Sequence, residues 1–161
     1  METRRILKEG FIAGLVLYMT VALFFAGVNV LAGRSPFYTA LVLGQPLLGA
    51  VPDPLDPSPT APAVMAFNSV HLLASLALGA AAAVLVGAIE KMRGAWYVFF
   101  FIFVAGSIVT IVGLGVLTAE TSHLLPWHSV ATAHLAGAAT TTAYLWWSHA
   151  TPEPDLGEPT G

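Results

Sequence analysis

Five histidines are the residues of this chain whose type and placement could do chemistry: His71, His123, His128, His134 and His149. Imidazole is a good axial ligand for haem iron, and it also binds copper and zinc. The chain has no cysteine. Disulfides, zinc–thiolate sites, iron–sulfur clusters and c-type haem attachment are therefore excluded together. Haem b, copper and zinc held by histidine are not.

His71 comes nine residues after Pro62, and His134 comes eight after Pro126. Proline is well tolerated in the first turn of a helix, so each is read as the start of one. At about 1.5 Å of rise per residue, both imidazoles lie roughly 12–14 Å along their helices, at a shared depth. Asn68, His71 and Ser75 share one helical stripe, and Thr141 lies on the face of His134. Histidines at equal depth on two helices can clamp a planar cofactor, with His71 and His134 as the axial ligands of haem b. Ala74, Gly79 and Gly137 leave room beside them. A plainer arrangement is a structural pair, with His71 hydrogen-bonded to Asn68 or Ser75 and His134 to a threonine or a carbonyl. A third is a copper or zinc site at the outer surface, using His123, His128 and Glu120. His128 and His134 are six residues apart, about 120° around a helix, so they do not share a face. His149 follows Trp146 and Trp147 and reads as an interfacial polar group.

The elements that must position these residues are written in the composition. The chain is 57% hydrophobic and 9% charged. A soluble domain carries about 25% charged residues. Four windows lack Asp, Glu, Lys and Arg, at about 10–33, 62–89, 94–119 and 124–147. Each exceeds the roughly 20 residues that a helix needs to cross the hydrocarbon core. Backbone groups find no water in lipid, so each window is expected to be helical despite β-branched runs such as 108–112. The expected fold class is an all-α membrane protein, a four-transmembrane-helix bundle over residues 1–150. The first window is too long for a signal-peptide core and is expected to be kept as a span.

Arg4, Arg5 and Lys8 precede the first window, and Lys91 and Arg93 lie between the second and third. Under the positive-inside rule both places are cytoplasmic, which puts both termini inside. Trp96, Tyr97, Trp146 and Trp147 then mark the inner interface, and Phe37, Tyr38 and Trp127 the outer one. The outer loop, 34–61, is apolar in its first half and Pro-rich in its second. The first half suits an interfacial or re-entrant segment; the second reads as a stiff spacer or a strap for a partner. The tail, 151–161, is acidic, Pro-rich and expected to be disordered.

Small residues stripe every span: Gly10 and Gly14; Gly79 with its alanines; Gly106, Thr110 and Gly113; Ala133, Gly137, Thr140 and Thr141. In lipid such stripes mark close helix contacts, within the bundle or with another subunit. No charged residue falls inside a window, no phosphate loop appears, and no nucleophile–base set is visible. A stand-alone enzyme is not expected. The composition suits a small polytopic protein of the cell membrane, an accessory subunit of a larger complex or a self-assembling one. A b-type haem subunit for electron transfer and a histidine-based metal binder are the alternatives. The net charge of −3, without a basic patch, offers nothing to a nucleic acid.

Overall fold

A computed structural model describes residues 2–50, 60–89, 95–117 and 126–150. Lys91, Arg93, the Pro-rich half of the outer loop and the tail lie outside the described residues. The described residues form five helices and no strand: α1 (Glu2–Leu31), α2 (Tyr38–Leu47), α3 (Ala61–Ile89), α4 (Ala95–Leu117) and α5 (Trp127–Ala150). α1 and α3 are each long and apolar enough to cross a membrane.

α1 starts eight residues before the charge-free window because its charges pair along the helix. Arg5 Nε donates to Glu9 Oε1 at 2.9 Å, one turn on. Glu9 is buried, and the Arg5 guanidinium also reaches the Ser148 carbonyl at 3.5 Å. The far end of α1 closes on Gly33. The Arg34 amide donates to the Asn29 carbonyl and the Gly33 amide to that of Val30, with Gly33 at φ +70°. This pair of bonds needs a left-handed residue, which glycine adopts without a Cβ clash. α2 ends the same way at Gly49, φ +73°.

The apolar half of the outer loop is therefore a short helix, and Asn29 ties it down. The Asn29 amide donates to Thr39 Oγ1 at 3.0 Å and to the Pro36 carbonyl at 3.3 Å. Leu41 and Val42 are buried, and a methyl at Gly44 would overlap the Ala63 carbonyl. α2 thus lies against the first turns of α3.

α1 makes the most extensive contacts, along α3 and then along α5. The GxxxG pair is the reason it can approach α3 so closely. A Cβ at Gly14 would stand 2.6 Å from Leu76 Cα, and one at Gly10 would stand 2.8 Å from Ala80 Cα. From the other side, a Cβ at Gly79 would strike the Gly14 backbone. Gly137 gives α5 the same access to Leu17 and Val21 of α1. α4 packs on α5 and less on α3, while α3 and α5 scarcely touch and face each other across the molecule. Gly106 of the third stripe is buried; the side-chain surroundings of Thr110 and Gly113 lie outside the description.

The two ends of the molecule differ. Ile6 lies beside Gly87, and Arg5 beside Ser148, so α1 begins where α3 and α5 end. Towards this end Ala13, Leu17, Ala82, Ala83, Val98, Ile102, Ala138 and Leu145 form one buried cluster. Towards the other end, under α2, the helices part.

Candidate functional site

The parting helices enclose a cavity of about 420 Å³. Its walls come from the second half of α1, from α2, from the first half of α3, from the middle of α4 and from the first turns of α5. Both His71 and His134 line it. They arrive from α3 and α5, two helices that scarcely touch each other.

The His71 ring stacks on Phe67, centroids 5.6 Å apart and planes at 27°. It leans on Tyr18 of α1 at 5.1 Å and 48°. Among the described residues neither nitrogen of His71 has a hydrogen-bond partner. The neighbour expected to hold it, Asn68, is otherwise engaged. Tyr18 donates its hydroxyl hydrogen to Asn68 Oδ1 at 3.1 Å, and Asn68 Nδ2 donates to the Val64 carbonyl at 2.9 Å. Ser75 is buried and also lines the cavity.

His134 meets the carbonyl expected of a structural histidine. Its Nδ1 lies 2.9 Å from the Val130 carbonyl oxygen. A carbonyl only accepts, so Nδ1 carries the hydrogen, and in the neutral ring Nε2 is the basic nitrogen. The ring rests against α4 where Gly106 leaves space: a Cβ there would come 3.3 Å from Cδ2 of His134. Gly106 is thus the wall residue that lets the α5 imidazole reach the cavity.

The remaining candidates separate. Thr141 is fully buried, but it is not on the cavity wall, and its Oγ1 has no partner among the described residues. His128 is exposed at the start of α5. His123 and Glu120 lie outside the described residues, as does the side chain of His149. Among the described residues no group of three or more His, Asp or Glu could hold a metal ion.

Sequence reasoning missed Tyr18. A tyrosine in the middle of an apolar helix must find a polar partner or lose a hydrogen bond in lipid. Asn68 is the only asparagine of α3, and that pairing was the available signal. Comparison with protein-family models, with curated proteins and with solved structures gave no match.

Proposed function

We propose that this chain is a four-span integral membrane protein, with both ends of its helical region on the cytoplasmic side. We further propose that it serves in a larger membrane assembly and contributes a ligand site built on His71 and His134. Support for the spans comes from what is inside and what is outside. The buried core is rich in alanine: Ala13, Ala63, Ala82, Ala83, Ala133 and Ala138. The large apolar side chains point outward on every long helix: Phe11 and Leu23, Leu73 and Val84, Phe100 and Ile108, Leu135 and Trp146. Water disfavours so much exposed apolar surface, whereas lipid accepts it, and helices in lipid associate by close packing at small residues. α4 and α5, at 23 and 24 residues, also exceed the length of a crossing. A reporter fused after Asp56 should read as extracytoplasmic, and a cytoplasmic reading sinks the topology.

The observation that carries the site is the His71 ring, which lines a mostly apolar cavity and has no hydrogen-bond partner among the described residues. An unsatisfied polar group away from water is costly, and a ligand that satisfies it gains that energy. Small-molecule sites have this character: apolar walls and a few convergent polar groups. Solvent extracts of the purified protein should contain a small molecule that is lost from His71→Leu. Identical extracts from the two proteins would remove the site.

Haem b is the second reading, favoured by the presence of both imidazoles on one cavity. Nδ1 of His134 on a carbonyl is also how proteins orient a ligating histidine. The chemistry that haem supplies is one-electron transfer; His71 and His134 would hold its iron and set its orientation. A low-spin haem spectrum that disappears in both His71→Ala and His134→Ala establishes it. A colourless protein without iron eliminates it.

A further inference from the structure

We infer that the cavity receives an uncharged, lipid-soluble quinone or quinol, which enters sideways from the bilayer and hydrogen-bonds His71 through a ring oxygen. The inference rests on reading the His71–His134 cavity as a ligand site, and it names the class of ligand.

Charge is the first discriminator. Among the described residues on the wall, none is charged. A carboxylate or phosphate headgroup would have no counter-ion there, and burying one unpaired costs far more than burying a carbonyl. The route of entry is the second. Met19, Leu23, Val70 and Val109 belong to the wall and are also exposed on the outside of the molecule. On the four-span reading these side chains meet lipid, so the cavity wall adjoins the phase in which such molecules dissolve. α2 covers the same cavity from the aqueous side, held by Asn29 and by the fit of Gly44 on Ala63.

Shape and hydrogen bonding supply the rest. Tyr18, Phe25, Phe37 and Phe67 give the wall flat aromatic faces, against which a planar ring packs well. A neutral imidazole holds one N–H donor and one basic nitrogen. His71 can therefore donate to a quinone carbonyl or accept from a quinol hydroxyl without changing its own charge. Tyr18 keeps Asn68 occupied, so Asn68 does not compete with a ring oxygen for His71.

The test compares two probes of nearly the same size and shape that differ in their ring oxygens. They are tetramethyl-para-benzoquinone and tetramethylbenzene. Binding to the full chain in detergent is measured against protein-free micelles, which removes simple partitioning. The wild type should prefer the quinone by about tenfold, the equivalent of one hydrogen bond near 1.4 kcal/mol. His71→Leu should bind both probes alike, and His71→Gln, which keeps a donor and an acceptor, should recover the preference. Equal binding of the two probes by the wild type overturns the inference without any variant having to fold. A preference that survives in His71→Leu overturns it as well. A bis-histidine haem spectrum overturns the quinone assignment while the site reading stands. Absence of haem, of any co-purifying molecule and of binding by either probe removes both.

Discussion

Tyr18 and Asn68 show how one polar pair can decide what a neighbouring histidine does. Each satisfies the other within the apolar interior, and the consequence falls on His71, which stands one turn further along α3. Asn68 spends its amide on Val64 and its oxygen on Tyr18, so His71 keeps its nitrogens for the cavity. Side-chain hydrogen bonds within membranes average about 0.6 kcal/mol, because an unpaired group finds other partners. A double-mutant cycle of Tyr18→Phe and Asn68→Leu, read by thermal or denaturant unfolding in detergent, should show coupling of about that size. Additive effects would mean that the pair does not interact. The offsets of the two histidines from Pro62 and Pro126 predict a shared depth, and both do line one cavity. The partner of His71 was not legible. Sequence offers Asn68 at i−3 and Ser75 at i+4 with equal ease, and Tyr18 competes from fifty positions away.

At the scale of elements, glycine placement decides which helices touch. Gly79 faces the Gly14 backbone, whereas a Cβ at Gly27 would meet nothing within 4 Å. Gly79→Ala should therefore push α1 from α3 and lower the unfolding temperature. Gly27→Ala should be neutral or mildly stabilising, since alanine favours a helix by up to about 1 kcal/mol over glycine. If both variants behave alike, the α1–α3 contact is misassigned. Gly106→Leu should weaken ligand retention more than it weakens folding, because its side chain would crowd His134 at the cavity wall. Unchanged retention in that variant would place Gly106 away from the site. The long helices could be read from charge-free windows alone, within a few residues for α3 and α4. The start of α1 could not, because Arg5 and Glu9 neutralise each other along the helix and interrupt only the window. α2 was hidden by its composition. Ten residues cannot span a membrane, and Pro46 reads as a breaker until the last turn of a short helix accommodates it.

For the whole molecule, the arrangement is tight at one end and open at the other. Small residues draw α1 onto α3 and α5 near the end where the helical region starts and stops, and α2 roofs the end where those helices part. The basic residues Arg4, Arg5 and Lys8 stand at the tight end, with exposed Trp146 and Trp147 close in sequence to Ser148, which Arg5 reaches. On the four-span reading this end faces the cytoplasm, and the cavity lies in the outer half. The account depends most on one feature of that arrangement: two helices that hardly touch each other deliver His71 and His134 to a single cavity. The chain has no native cysteine, so the feature can be tested by cross-linking. A protein carrying His71→Cys and His134→Cys, treated in membranes with a short lipid-soluble bis-maleimide, should form an intramolecular cross-link in high yield. The matched pair His71→Cys and His128→Cys should not, since His128 is exposed at the start of α5. Cross-linking of the second pair but not the first, in folded protein, would contradict the shared cavity.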